Sequence, residues 1–70
     1  MRYAIVIEKA EGNVSAYVPD LPGCVATGAT VEEVETKIRE AIAFHVEGLR
    51  EDSLPVPPGA SQVEHVEVAA

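Results

Sequence analysis

Two adjoining stretches constrain this chain more than anything else in it: Tyr17-Val18-Pro19-Asp20-Leu21-Pro22-Gly23-Cys24 and Gly28-Ala29-Thr30-Val31-Glu32-Glu33. Pro19 has no N–H to donate to a ladder, so it ends a strand. Leu21 to Cys24 suits a type II turn, with Pro22 fixing φ near −65° and Gly23 accepting a positive φ. Asp20 is placed to accept backbone N–H bonds at that turn. Thr30 is a helix N-cap, and Glu33 three residues on completes a capping box. The order strand, turn, strand, cap, helix is therefore set over less than a quarter of the sequence.

The flanks extend that order. Tyr3, Ile5 and Ile7 alternate with Ala4, Val6 and Glu8, a period of two with β-branched residues that predicts a first strand covered on both faces. Glu11-Gly12-Asn13 predicts a hairpin loop of three to four residues, after which Val14, Ala16 and Val18 alternate with Ser15 and Tyr17 in a second, antiparallel strand. Cys24 to Thr27 is a short third strand that Gly28 breaks. Val31, Val34, Ile38, Ala41, Ile42, His45 and Leu49 recur at helical spacing and predict one apolar stripe on a helix over about 31–50. Glu33 with Lys37 and Glu35 with Arg39 are i,i+4 pairs in the favourable order. Pro55, Pro57 and Pro58 forbid more helix and give a connector over about 53–61. Residues 62–68 alternate weakly and predict an edge strand that a second subunit could share. The fold class expected is α+β, in the order β-β-β-α-β: one domain over residues 1–70, a small antiparallel-rich sheet with one helix on one face.

Seventy residues bury only about 60% of the surface the unfolded chain exposes. The hydrophobic residues are mostly Ala and Val, with no Trp. Small domains of this kind commonly gain stability from disulfides, a metal or self-association. One cysteine makes no internal disulfide, and neither it nor the two histidines has metal-ligand spacing. Self-association is left. One helix covers one face, so the expectation is an oligomer, a dimer or tetramer, through an apolar outer face carrying Tyr3, Ile5, Ile7, Val14 and Val18. No metal and no cofactor are expected.

The net charge of −7 opposes binding to a nucleic acid backbone. Every acidic residue except Glu8, Glu11 and Asp20 lies after Thr30, so the helix and tail carry most of the negative field and favour a basic partner. No charged-then-apolar leader and no apolar run of about 20 residues is seen. With a lone thiol, this leads to the expectation of a cytoplasmic protein without a membrane segment.

These residues resemble the HicB-like antitoxin family, through Tyr17, Pro19-Asp20-Leu21-Pro22-Gly23-Cys24, Thr27-Gly28, Thr30, Glu32-Glu33 and Glu40-Ala41-Ile42. The resemblance covers about residues 3–58. Relatives often have Ala and Asn where this chain has Val34 and Lys37. The resemblance implies a partial ribonuclease-H-like fold without nuclease activity, self-association, and masking of a small basic mRNA-cleaving toxin of the HicA type. Full antitoxins of that family usually add a C-terminal DNA-binding domain. None is read in this sequence, so no direct nucleic acid binding is expected.

Asp20 has three readings: turn stabiliser, partner contact, or a catalytic carboxylate, which would need a second carboxylate or a metal. Cys24 reads as a small packed thiol or, with a histidine beside it, a nucleophile. His45 reads as a core or interface residue rather than a base. Gly23 and Gly28 are turn glycines, since their spacing matches no phosphate loop. The acids Glu32, Glu35, Glu47, Glu51 and Asp52 are a solvated face or a surface for a basic toxin. The contacts expected with a partner are Asp20, Leu21, Cys24, Glu32 and Glu35. The function expected is a non-enzymatic, antitoxin-like binding domain. The alternatives are a stand-alone oligomeric structural or ligand-binding domain without a toxin and, more remotely, a ribonuclease-H-like hydrolase.

Overall fold

The computed structural model describes residues 1–69. Three antiparallel strands, β1 (Val6–Ala10), β2 (Asn13–Tyr17) and β3 (Val25–Gly28), lie in the order β1-β2-β3 and lead into one helix, α1 (Val31–Glu51). The α+β arrangement anticipated above is present, with three strands before the helix. Residues 54–69 form no strand, so the expected edge strand over 62–68 is not part of this chain's sheet. Its alternating face holds only Glu64, Val66 and Val68, and all three are exposed.

The β1–β2 turn is tighter than expected. Ala10 faces Asn13, so only Glu11 and Gly12 make the bend, with Gly12 at φ 74°. Asn13 belongs to β2. The β2–β3 connection folds inward. Cys24 N–H donates to the Leu21 carbonyl at 3.1 Å around Pro22 and Gly23, and Gly23 sits at φ 83°, as a type II turn demands. Val18 N–H donates to the Cys24 carbonyl at 3.1 Å, which extends the β2–β3 pairing past Pro19.

Thr30 starts the helix with extended backbone, φ −130° and ψ 160°, and its hydroxyl accepts from Glu33 N–H at 3.1 Å. The Glu33 carboxylate returns to Ala29 N–H at 3.2 Å and pairs with Lys37 at 3.0 Å. The box is thus one residue longer than its simplest form. Lys37 also donates to the Thr27 carbonyl at 3.1 Å, which ties the helix to the end of β3. Gly28 belongs here for steric reasons: a Cβ would press on Val34 and Glu33 at 3.1 Å.

Parity places the core. Ile7 faces Ala16, which faces Ala26, and Val14 faces Gly28. These residues share the side that α1 covers. The buried core is Val14, Ala16, Val18, Leu21, Cys24, Val34, Ile38 and Val46. Full burial of a side chain such as Leu21 contributes about 1.5–3 kcal/mol. Helix α1 lies against β3 and β2 rather than β1. Tyr3, Ile5 and Ile7 pack on the core yet stay partly exposed.

Past the helix, Ser53 takes φ 56° and Leu54 N–H donates to the Leu49 carbonyl at 2.8 Å, turning the chain back. It crosses the start of the chain, where the Tyr3 hydroxyl donates to the Pro57 carbonyl. Gly59 passes so close to Arg2 that a Cβ there would overlap the Arg2 carbonyl oxygen. Residues 60–69 are then exposed. The radius of gyration is 13.9 Å, against about 11 Å for a compact chain of this length. The protruding tail accounts for the difference in kind.

Candidate functional site

The expected contact residues separate into three places. Leu21 is fully buried and Cys24 is 4% exposed. Neither can touch a partner, because the turn that carries them points its apolar side chains beneath α1. Burial also pushes the Cys24 thiol above its usual pKa, away from the thiolate a nucleophile needs. Cys24 is the packed thiol of the two readings.

Asp20 has a role the sequence did not show. Its Oδ2 accepts from Ala60 N–H at 3.1 Å and Ser61 N–H at 2.9 Å, and its Oδ1 accepts from the Ser61 hydroxyl at 2.9 Å. The Ser61 backbone N–H, first of all, holds this carboxyl below its ordinary pKa. Slight desolvation opposes that, and the Ser61 hydroxyl and Ala60 N–H reinforce it. Asp20 is the clasp of the tail. No local pattern reveals a bond between residues 40 positions apart. The nearest signal is Gly59-Ala60-Ser61, small residues after a proline run that let a backbone come close.

Glu32 and Glu35 are exposed on α1. Glu35 lines an open trough between α1 and the start of the chain, with Tyr3, Ile5, Ile38 and Ile42 as its floor and Arg39 on its rim. The trough continues along the helix past Val46 to Glu47 and Arg50. The expected Glu35–Arg39 pair is not made; among the described residues the ion pair present is Glu33 with Lys37. Helical spacing also breaks up the supposed single acidic row. Glu40, Glu47 and Glu51 fall on one face with Phe44, at i−4, i+3 and i+7 from it. Phe44 is 81% exposed. Phe44 lies off the apolar stripe, and a large aromatic at that position is the one sequence signal of this face.

The outer face of the sheet carries different residues from those expected. Val14 and Val18 are 7% and 2% exposed, in the core under α1. Tyr3, Ile5 and Ile7 share that side. Facing solvent instead is the row Val6–Tyr17–Val25, paired directly across all three strands. Tyr17 is 42% and Val25 62% exposed. Alternation gives two faces without saying which one the helix takes, and a choice shifted by one residue exchanges them all.

Among the described residues, no group of three or more His, Cys, Asp or Glu side chains is arranged to hold a metal ion. His45 is partly buried on α1 and His65 is exposed on the tail. No helix among them is long and apolar enough to cross a membrane.

This arrangement of a hairpin, an inward-folded Pro-Asp-Leu-Pro-Gly-Cys turn and a capped helix coincides with a family match over residues 3–69, to the HicB_like antitoxin of bacterial toxin-antitoxin systems. The chain belongs to that family. It is 44% identical over 57 residues to a 14.9 kDa protein from the rep-hol intergenic region of Haemophilus phage HP1; the match takes in 81% of this chain and 43% of the phage protein. It is 38% identical over 58 residues to a UPF0150 protein of Thermoplasma acidophilum, across 81% of this chain and 84% of that one. A UPF0150 protein of Helicobacter pylori is 45% identical over 49 residues, 70% of this chain and 68% of the relative. The chain thus spans less than half of the phage relative and most of the Thermoplasma one. No solved structure matches it.

Proposed function

We propose that this HicB-like domain is an antitoxin module that works by binding, masking a small basic RNA-cleaving toxin of the HicA type. The observation that carries the reading is the solvent face of α1. Phe44, almost wholly exposed, stands among Glu40, Glu47 and Glu51 in a chain of net charge −7. An exposed aromatic ring flanked along its helix face by carboxylates suits a partner that brings cations beside an apolar pocket. The same carboxylates would take the place of RNA phosphates before the toxin's basic surface. Glu32 is a flanking contact on the same helix. Asp20 supports the reading indirectly, because its carboxylate is committed to three donors of the tail and serves there as a structural clasp.

The test uses the small basic product of the reading frame beside this gene. Equimolar HicB-like chain should protect RNA from that product, and Phe44→Ala should weaken complex formation by roughly 10-fold or more, the range of an aromatic hot spot. A neighbour that cleaves RNA equally fast in the presence of the chain overturns the reading. The second reading, a stand-alone oligomeric domain without a toxin, is favoured by the cross-strand row Val6–Tyr17–Val25, in which Tyr17 and Val25 are exposed.

A further inference from the structure

Gly48 is the residue of α1 that the fold does not explain. It lies inside the helix, three residues from its end, where glycine is less favourable than alanine because it loses more backbone freedom. Its backbone is not left-handed: the positive-φ positions among the described residues are Gly12, Gly23 and Ser53. Even the turn after the helix, where glycine is usual, is made by Ser53 at φ 56°. No neighbour demands a bare backbone either. A Cβ on Gly48 would meet nothing within 4 Å beyond its own turn, whereas one on Gly28 would press on Val34 and one on Gly59 would overlap Arg2.

Gly48 is a notch in the acidic face of α1. It stands four residues after Phe44, so the 81% exposed ring and the notch are neighbours on one side of the helix. Glu40, Phe44, Gly48 and Asp52 make one ridge at four-residue spacing, about 18 Å long, with a carboxylate at either end. Glu51 is exposed beside its lower end.

We propose that Gly48 is the point of close approach for a helix of the basic partner, and that it determines which partners fit; this rests on the antitoxin reading. A ridge at four-residue spacing is the unit that enters the groove of another helix, and the side chains at the crossing set how near the axes come. With no side chain at Gly48, an apolar residue of the partner helix reaches the backbone of α1. Phe44 enters between the partner's turns. Lys or Arg one turn to either side meets Glu40 above and Glu51 and Asp52 below. A larger residue at the notch would hold the partner's cations away from both ends of the ridge.

Titration of the intact chain with the small basic product of the adjoining reading frame, beside thermal melts, tests this. Gly48→Ala should raise the melting temperature by roughly 2–8 °C, since the helix gains and nothing is displaced. It should nevertheless weaken the complex by roughly 10-fold, and Gly48→Leu by roughly 100-fold, as overpacking at a close contact does. Photo-crosslinkers carried at Glu40 and Glu51 should capture partner residues at helical spacing. A Gly48→Ala chain that binds as tightly as the intact one, while Phe44→Ala binds weakly, overturns this inference and leaves the antitoxin reading standing. Captured residues at the two-residue spacing of a strand also overturn it. An intact chain that does not bind the product overturns both.

Discussion

Ile38 and Ile5 are the same residue type on the same side of the same sheet. Ile38 is 2% exposed beneath β2 and β3, whereas Ile5 packs on the core from β1's side and remains partly open to solvent. The half built from β2, β3 and α1 is closed by apolar contact and sealed by the Thr30 and Glu33 caps. On the other side β1 is laddered to β2 over five residue pairs with Tyr3, Ile5 and Ile7 only partly covered, and the tail is held to it by polar bonds at a few points: Tyr3 to Pro57, and Ala60 and Ser61 to Asp20. The first half resists local opening through buried area. Within the second, the tail is the part expected to open first, because residues 60–69 are exposed and its bonds to Asp20 lie at the surface with few apolar contacts behind them.

The largest effect that would sharpen this contrast comes from truncating the two isoleucines. Ile38→Ala should cost about 2–5 kcal/mol, and Ile5→Ala should fall near the ~1 kcal/mol of ordinary substitutions. Urea melts followed by helix signal measure both, and equal losses would dissolve the distinction between the halves. Next in size is Gly59→Ala. Its methyl meets the Arg2 backbone, which cannot yield as a flexible side chain would. The tail should detach, raising amide exchange at Ala60 and Ser61 by roughly 10-fold, equivalent to about 1.4 kcal/mol. The melt of the β2–β3–α1 half should stay in place.

The smallest effect is electrostatic. The Asp20 carboxyl lies below its ordinary pKa in the folded chain, chiefly through the Ser61 N–H. Its contribution is therefore complete above the unfolded carboxyl value of about 3.9 and fades as pH falls through the lower native one. The Ser61 amide resonance should titrate with a midpoint under ~3.9. A midpoint at or above that value would show that the clasp is not made in solution. Asp20→Asn should remove the titration and leave the helix unchanged.

The closed half was the half legible in the sequence. Its determinants are local: Pro22-Gly23 for the turn, Thr30 with Glu33 for the cap, Val34 and Ile38 for the stripe. Each acts within four residues of itself, so periodicity and turn chemistry suffice. The open half depends on contacts between residues 2–20 and 57–61, which no local pattern records. That is why the tail reads as a strand and why none of the three readings of Asp20, turn stabiliser, partner contact or catalytic carboxylate, includes the tail. The face assignment failed for another reason. Tyr3, Ile5, Ile7, Val14 and Val18 were grouped correctly as one side, but the helix took that side for the core, since its residues are bulkier and more apolar than Val6, Ser15, Tyr17 and Thr27. Leu21 and Cys24 followed them inward.

Tyr3 and Tyr17 are the chain's two tyrosines, and it has no tryptophan. One phenol is bonded to the tail's carbonyl at Pro57 and the other stands at the centre of the open sheet row. Near-ultraviolet light therefore finds two built-in dyes, each assigned to one half of the architecture. Replacing either with phenylalanine isolates the other's colour, and the departure of the tail or the arrival of a companion on the sheet can be watched without adding any label.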